Sequence, residues 1–225
     1  MLARFKSVLC FGDSITHGLK CAGGVHERYD RNVRWPGVLG NALGPNWKII
    51  EEGHCGRTID RDDPIKGARR NGSRYLHVCL ETHRPFDFVV LFLGTNDLKA
   101  CYTKSASDIG VSIEKLVIEI KTFIELNKTK AEIVLVSPPL IEENLALYSE
   151  KFRGGRTKSQ DLSQIYNDIA ERQSILFFDA APVSDAKCSD GIHIDLESHK
   201  RIGSLLASML TSRCLTHCKE PQEPG

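Results

Sequence analysis

The sequence contains no apolar run that approaches the roughly 18 residues a membrane-spanning helix requires. It also has almost no net charge, because 30 basic residues against 29 acidic ones leave a formal charge of +1. Such an even balance provides no global field to attract nucleic acid or an anionic membrane. Internal repeats, low-complexity tracts and linkers are missing too. We expect one domain over residues 1–212, followed by a poorly ordered tail over residues 213–225.

The sequence also lacks a recognisable secretory signal. The one apolar stretch near its start, residues 7–11, is also the first predicted strand, and cleavage there would remove Ser14 or leave it at the new terminus. The apolar fraction of 41% and the charged fraction of 26% are ordinary for a soluble globular protein. The sequence therefore predicts a cytoplasmic protein.

Cysteine is present but shows no metal-binding pattern. The eight cysteines are scattered, and several lie in apolar runs where a free thiol packs as a small core residue. Near the C-terminus, Cys214, His217 and Cys218 offer only three ligands, with no second cluster at zinc-finger spacing. We predict no metal. The basic clusters at residues 69–70 and 128–130 are interpreted as solvated surface.

Five short apolar runs alternate with segments of helical period. The third run is apolar throughout, which is typical of a central strand that helices cover on both faces. Between the runs, apolar residues recur at i, i+3, i+4 and i+7 and predict amphipathic helices. The predicted strands are Val8–Phe11, Lys48–Ile50, Phe88–Leu93, Ile133–Val136 and Ile175–Phe178, and the predicted helices are Trp35–Leu43, Ser107–Leu126, Lys158–Gln173 and Asp195–Thr211.

This alternation predicts βαβ crossovers and a parallel sheet. The expected fold class is α/β, a three-layer α/β/α sandwich around a flavodoxin-like five-stranded parallel sheet. Chemistry in such folds collects beyond the carboxyl ends of the strands. We expect Ser14, residues 51–58 and Asn96 to lie there. The rim of the site is expected from three stretches without periodicity, residues 19–34, 58–71 and 138–157.

Three short motifs carry chemistry. Gly12-Asp13-Ser14-Ile15 ends the first strand, Gly94-Thr95-Asn96-Asp97 follows the third, and Asp190-Gly191-Ile192-His193 lies near the C-terminus. Together they supply a hydroxyl nucleophile, a side-chain amide donor, an acid and a base. These groups suffice for acyl transfer through a serine ester.

His193 is the predicted general base among the eight histidines. A serine hydroxyl is a weak nucleophile until a base takes its proton, and imidazole has a suitable pKa for that step. Asp190 lies three residues earlier and can fold back, through a turn at Gly191, to accept from the other ring nitrogen. His17 and His54 remain alternatives, since both are expected near the pocket.

The oxyanion formed during ester attack needs donors that are fixed in advance. The candidates are the backbone N–H groups of Ser14 and Gly56 and the carboxamide of Asn96. Structural interpretations remain open for this region. Asn96 follows Gly-Thr and could be a turn former, and Asp13 could cap backbone N–H groups.

These motifs resemble the four blocks of the GDSL, or SGNH, hydrolases. The resemblance implies that Ser14, Asp190 and His193 form a catalytic triad, and that Ser14, Gly56 and Asn96 form the oxyanion hole. It implies hydrolysis of small-molecule esters, with short-chain acyl and aryl groups, through an acyl-enzyme. It also implies that no cofactor is needed and that the chain forms homo-oligomers.

Further matches resemble the arylesterase/acyltransferase branch and cover nearly the whole chain except the last dozen residues. Two departures stand out: Thr16-His17-Gly18, where that branch often has Thr-Trp-Gly, and the tail from Arg213. Loss of the aromatic ring would widen or wet the acyl pocket and disfavour transfer to alcohols. The matching segments are Arg34-Trp35-x-Gly37-Val38-Leu39, Glu51-Glu52-Gly53, Asp62-Asp63-Pro64, Lys99 after the Asn96 motif, Ser137-Pro138-Pro139 and Phe152-x-Gly154-Gly155.

Other functions stay open beside the arylesterase hypothesis. A thioesterase, lysophospholipase or carbohydrate deacetylase would use the same triad and differ at the rim. A catalytically idle binding module would have lost Ser14, Asn96 or His193, and the sequence retains all three. A nucleotide-binding protein would want a glycine-rich or hydroxyl-rich phosphate loop after the first strand, where this chain has Asp13.

Overall fold

The computed structural model describes residues 5–20, 27–144, 148–184 and 188–217. Five parallel strands form one sheet in the order β2-β1-β3-β4-β5. This order confirms the predicted flavodoxin-like sheet, in which the direction of winding reverses beside β1. The strands are β1 (Lys6–Gly12), β2 (Trp47–Gly53), β3 (Phe88–Phe92), β4 (Glu132–Ser137) and β5 (Leu176–Asp179).

Helices cover both faces of the sheet, which confirms the three-layer sandwich. Alternate residues of β1 point to opposite faces: Leu9 and Phe11 join the core beneath α3, α4 and α5, whereas Val8 and Cys10 join the core beneath α2 and α6. The helices are α1 (Ser14–His17), α2 (Trp35–Leu43), α3 (Ser73–His83), α4 (Ala106–Leu126), α5 (Gly155–Gln173) and α6 (Leu196–His217).

The segment after the second predicted strand needs a correction. β2 continues to Gly53, so residues 51–53 lie within the strand and only residues 54–58 follow it. The charged side chains of Glu51 and Glu52 hid this continuation because they interrupt the apolar pattern. Both have partners: Arg34 donates two hydrogen bonds to Glu51, and His83 forms a hydrogen bond with Glu52 at 2.7 Å.

The C-terminal helix also runs further than predicted. α6 passes Thr211 and continues to His217, so the boundary drawn at residue 212 falls inside a helix, and residues 213–217 are helical instead of poorly ordered. Two contacts hold this end: Leu210 is fully buried, and Arg213 Nε donates to Glu132 Oε2 at 2.6 Å. The remainder of the predicted tail, residues 218–225, lies outside the described residues.

Helix α3 was not predicted. Its apolar stripe is short, since only Leu76, Cys79 and Leu80 are buried, and the rest of the segment is rich in polar residues. Gly72, directly before the helix, has no side chain to cap it, and the cap comes from Asn71, whose Oδ1 accepts from the Ser73 backbone N–H at 3.1 Å. Tertiary packing against α4 therefore provides the stability that the short apolar stripe of α3 does not.

The cysteines of the described residues are of two kinds. Five of them are free thiols: Cys10, Cys55, Cys79, Cys101 and Cys214. Cys188 is disulfide-bonded, which the sequence interpretation did not predict. Spacing alone could not reveal this, because a disulfide requires two Cα atoms to approach within about 4.4–6.8 Å in the folded chain.

Within the described ranges, no helix combines the length and apolar character needed to cross a membrane.

Candidate active site

Ser14 lies where β1 turns sharply into α1. A Cβ on Gly12 would come within 2.0 Å of Thr16 Oγ1 and 2.8 Å of the Phe92 carbonyl oxygen, so only glycine allows this approach. Ser14 is the first residue of the helix, and it is 6% exposed. The turn therefore presents the hydroxyl at the carboxyl edge of the sheet.

Asp13 caps this short helix. Its Oδ1 accepts from the Ile15 backbone N–H at 2.9 Å, which confirms the capping interpretation. Burial raises the pKa of Asp13 to about 6, although the hydrogen bond from Ile15 and the charges of His193, Arg57 and Lys99 oppose the shift. Asp13 therefore has a structural role beside the hydroxyl.

His193 contacts Ser14 and Asp190 at the same time. Its Nε2 lies 2.9 Å from Ser14 Oγ, and its Nδ1 lies 2.6 Å from Asp190 Oδ2. Asp190 folds back through a turn, with Gly191 at φ 71°, and its Oδ1 accepts from the backbone N–H groups of Ile192 and His193, both at 2.9 Å. The four-residue motif thus positions both groups.

The charge of Asp190 decides where the His193 proton lies. Burial opposes ionisation, but hydrogen bonds from the His193 side chain and backbone and from the Ile192 backbone hold the pKa of Asp190 below its ordinary value. An ionised Asp190 can only accept, so Nδ1 of His193 must donate to it. Nε2 is then free to accept the Ser14 hydroxyl proton.

Three hydrogen-bond donors belong to residues that line the same pocket as the hydroxyl: the backbone N–H groups of Ser14 and Gly56 and the Asn96 carboxamide. Asn96 lies in the 3₁₀ turn Thr95–Leu98 after β3, is 6% exposed, and directs Nδ2 toward Asp13 Oδ2 at a long 3.4 Å. Gly56 follows β2 with φ 79°. Among the described residues, the backbone N–H groups of Ser14 and Gly56 have no acceptor, so both remain available to a ligand.

A hydrogen-bonded network fixes the rear of the 95–98 turn. Asp97 is fully buried and accepts from the Ile59 backbone N–H at 3.0 Å. Lys104 donates to Asp97 at 3.3 Å, to Asp60 at 2.5 Å and to Ser112 at 2.8 Å. Burial raises the pKa of Asp97 to about 6 against the opposing charge of Lys104. Consecutive residues of the turn therefore face opposite ways, Asn96 to the pocket and Asp97 to this network.

Ser14, Gly56, Asn96 and His193 all line one pocket with a volume of about 530 Å³. The predicted site residues therefore come together, with Asp190 behind His193. The remaining lining residues are His17, Leu19, Gly53, His54, Cys55, Asp63, Lys66, Arg70, Lys99, Tyr148, Lys151, Phe152 and Ile192.

The pocket is rich in cations to which the sequence interpretation gave no binding role. Lys66, Arg70, Lys99 and Lys151 line it, against one carboxylate, Asp63. Arg70 was interpreted as solvated surface, but the structure contradicts this: it is partly buried and contacts His54 and the Cys55 carbonyl oxygen. Its sequence neighbours gave no signal, because only the return of residues 54–56 toward it creates the contact.

The two alternative histidines lie at the pocket but not beside the hydroxyl. His54 Nε2 contacts Arg70 Nη1 at 2.7 Å, and burial together with Arg70 lowers the pKa of His54 to about 4. Burial and Arg28 also lower the pKa of His17. Both imidazoles are neutral near pH 7, and neither makes the paired contacts that His193 makes.

One cluster of ligand-type atoms lies away from the pocket. In the described part of the chain, Glu52, Cys79 and His83 place one ligand atom each within 4.8 Å of one another. Burial and the nearby Glu52 raise the pKa of Cys79 to about 12, so its thiol is protonated near pH 7. Glu52 is already hydrogen-bonded to His83. We assign no metal to this cluster.

Comparison with known proteins gives a consistent result. Residues 10–201 match the GDSL-like lipase/acylhydrolase family. The structure is similar to that of the native M. smegmatis aryl esterase, with 37% identity and a TM-score of 0.85 over 92% of this chain and 99% of that one. It is also similar to Est24, a carbohydrate acetylesterase from Sinorhizobium meliloti, with 34% identity and a TM-score of 0.87 over 92% and 99% of the two chains. No curated protein sequence matches the chain.

Proposed function

Because the chain belongs to the GDSL-like lipase/acylhydrolase family and is an esterase, we propose that it hydrolyses carboxylic esters by nucleophilic catalysis at Ser14. The observation that carries this proposal is the unbroken hydrogen-bonded line from Ser14 Oγ through His193 to Asp190, with distances of 2.9 and 2.6 Å. A base within hydrogen-bonding reach of the nucleophile, itself held by a third group, is the arrangement that activates a serine.

In the acylation step, Ser14 Oγ attacks the ester carbonyl carbon while His193 Nε2 takes the hydroxyl proton. The resulting imidazolium is stabilised by ionised Asp190, which keeps its proton-accepting role through the two backbone hydrogen bonds to Oδ1. Collapse of the tetrahedral intermediate breaks the bond to the alcohol. His193 then donates its proton to the departing oxygen, and the acyl group remains on Ser14.

The oxyanion of this intermediate would be bound by the backbone N–H groups of Ser14 and Gly56 and by Asn96 Nδ2. Support comes from the two unused N–H groups and from the long 3.4 Å contact of Asn96 with Asp13, which leaves the amide ready to take a stronger acceptor. Donors fixed before the charge appears stabilise the transition state more than the ground state.

Water completes the reaction by attacking the acyl-enzyme, with His193 again as general base. Substitution of tryptophan by His17 places a neutral but polar ring at the pocket. We infer that this ring favours water over alcohols as acceptors, so acyl transfer is a minor activity. A comparison of ester hydrolysis with transfer to a primary alcohol, in the wild type and in His17→Trp, tests this inference.

Short-chain acyl and aryl esters are the proposed substrates, and acetylated carbohydrates are the second candidate. The likeness to a carbohydrate acetylesterase and the many polar lining groups of the pocket favour the second candidate. A series of p-nitrophenyl esters of increasing chain length, measured beside acetylated sugars and acyl thioesters, separates these substrates by kcat/KM.

Ser14→Ala tests the mechanism directly. We expect a fall in kcat of roughly 10³-fold or more, since the nucleophile is lost while the fold is retained. A fluorophosphonate should label Ser14 in the wild type. Ser208→Ala, which changes an exposed serine on α6, is the matched control and should keep both activity and labelling. Substantial turnover or labelling in Ser14→Ala would refute the assignment.

A further inference from the structure

We propose that the pocket binds an ester carrying a second, anionic group, a carboxylate or a phosphate, and that Lys99 is the main cation that receives it. This inference rests on the proposed function, because it names the class of ester that the same pocket accepts. It is carried by a buried ammonium group at the pocket that makes no hydrogen bond to the described residues.

Lys99 is 5% exposed at its side chain, yet its ammonium donates no hydrogen bond within the described part of the chain. The nearest carboxylate oxygen, Asp63 Oδ2, is 4.0 Å away, beyond hydrogen-bonding distance. Asp63 is satisfied elsewhere: Oδ1 accepts from the backbone N–H groups of Ile65 and Lys66 at 3.0 and 2.8 Å, and Oδ2 receives a weak contact from Tyr102. Three ammonium donors therefore remain for a ligand.

The two contacts that Lys99 does make are weak: an ion pair with Asp63 at 4.0 Å, and a position 6.0 Å from the centroid of the Tyr102 ring. A buried ammonium without a hydrogen bond is unfavourable, so an anionic ligand that supplies one would be stabilised. Burial and the neighbouring charge of Lys151 lower the pKa of Lys99 to about 8, while Asp63 opposes the shift. Lys99 is therefore still mainly protonated near pH 7, and an anion that reaches it would also offset its repulsion from Lys151.

The surroundings of Lys99 carry the same sign of charge. Lys66, Arg70 and Lys151 line the pocket with it, and Asp63 is the one acidic lining residue among those described. Arg70 has a further unused donor, because its buried Nε finds no partner in the described part of the chain. A low-dielectric pocket lined by one sign of charge concentrates ligands of the other sign.

The cationic group and the nucleophile line the same cavity of about 530 Å³. Lys99 follows Asn96 by three residues, and both line the same cavity. Lys99 also contributes to the electrostatic environment of Asp13, the residue before Ser14. One ligand could therefore place its ester at Ser14 and its anionic group at Lys99.

The experiment compares para-substituted phenyl acetates that differ in charge. The probes are 4-acetoxybenzoate, 4-acetoxyphenyl phosphate and the neutral 4-acetoxybenzamide, whose rigid rings prevent the anion from attacking its own ester. We expect the wild type to prefer at least one anionic ester to the amide by about ten-fold in kcat/KM, mostly through KM, as one charge-assisted hydrogen bond would give. The better of the two anions identifies the ligand as carboxylate or phosphate.

Lys99→Met should reduce that preference to near unity, while Lys115→Met, an exposed lysine of α4 that does not line the pocket, should retain it. In the wild type, the preference should also decline as pH rises through about 8, where Lys99 loses its proton. A wild-type preference that is absent, or that stays constant across this pH range, overturns the proposal even if the variant does not fold.

Failure of the proposed function gives a different result. Equal hydrolysis of charged and neutral esters keeps the esterase mechanism and rejects the anion site. If the wild type hydrolyses none of the probes, calorimetric measurement of their binding to Ser14→Ala still tests the anion site at Lys99. We expect the preferred anionic ester to bind about ten-fold more tightly than the amide, and equal affinities would overturn the proposal.

Discussion

The two faces of the 95–98 turn hold buried lysines in opposite situations. Behind the turn, Lys104 is 3% exposed and donates to three side-chain acceptors, including Asp97. On the pocket face, Lys99 is 5% exposed and has no acceptor within hydrogen-bonding distance among the described residues. A saturated buried charge contributes to a unique structure, whereas an unsaturated one is available for binding. Two lysines five positions apart therefore have different roles: Lys104 stabilises the fold, and Lys99 is available to bind a ligand.

The largest effect expected on stability is at Lys104. Lys104→Met should lower the free energy of unfolding by about 3–5 kcal/mol, because the carboxylates of Asp97 and Asp60 would lose their buried counter-charge. Urea unfolding at pH 7 measures this loss. The double variant Lys104→Met/Asp97→Asn should recover part of it, since one stranded carboxylate is then neutral. A loss under about 1 kcal/mol would mean that the hydrogen bonds of Lys104 do not stabilise the fold, and the contrast with Lys99 would no longer hold.

On the pocket face, Asn96→Ala should impair catalysis without a comparable loss of stability. Removal of one oxyanion donor typically costs about 2.7–4 kcal/mol, or roughly 10²–10³-fold in kcat. We expect KM to change little, because the amide binds best to charge that appears in the transition state. Asn167→Ala, which changes a half-buried asparagine of α5 that does not line the pocket, is the control. A pure rise in KM would make Asn96 a ground-state binding residue.

Lys99→Met should leave the free energy of unfolding unchanged or raise it by about 1 kcal/mol, because it removes a buried charge and breaks no hydrogen bond to a described residue. It is the matched partner of Lys104→Met, since both replace a buried lysine with an uncharged chain of similar length. Urea unfolding of the two variants side by side gives the comparison. A loss at Lys99 as large as that at Lys104 would mean that its weak contact with Asp63 stabilises the fold.

The last expected effect is a pH dependence of stability. The pKa of Lys99 is about 8 in the folded protein and 10.5 for an unburied lysine, so between these values the folded state holds fewer protons than the unfolded state. Its contribution to the free energy of unfolding should therefore rise with pH through that range and stay flat below it. The rise should vanish in Lys99→Met. A slope unchanged by the substitution would assign it to other groups.

The local sequence was sufficient to predict the positions of the site residues that lie at the ends of strands. Ser14, Gly56 and Asn96 each follow a strand of a parallel sheet, and parallel strands end at one edge, so their meeting follows from topology. His193 and Asp190 are coupled by a turn of four residues, which a motif can specify. Their catalytic roles remain predictions, which the substitutions above address.

The features that sequence did not predict all depend on distant partners. The sequence does not distinguish Lys99 from Lys104, because the difference lies in the acceptors that surround Lys104 in the folded chain. Arg70 reaches the pocket because residues 54–56 turn back toward it. Helix α3 has few buried residues, so its formation depends on tertiary packing. These outcomes are set by the folded chain as a whole.

The hydrogen bond between Ser14 and His193 joins residues 179 positions apart in the chain. During synthesis the nucleophile leaves the ribosome early, but it remains inert until the last crossover is made and α6 packs beside α2. Contacts of such long sequence separation form late, because the closure entropy must be overcome first. After dilution from denaturant, recovery of ester hydrolysis should therefore lag behind recovery of the helical circular dichroism signal. The rate at which activity returns would then measure the final stage of refolding.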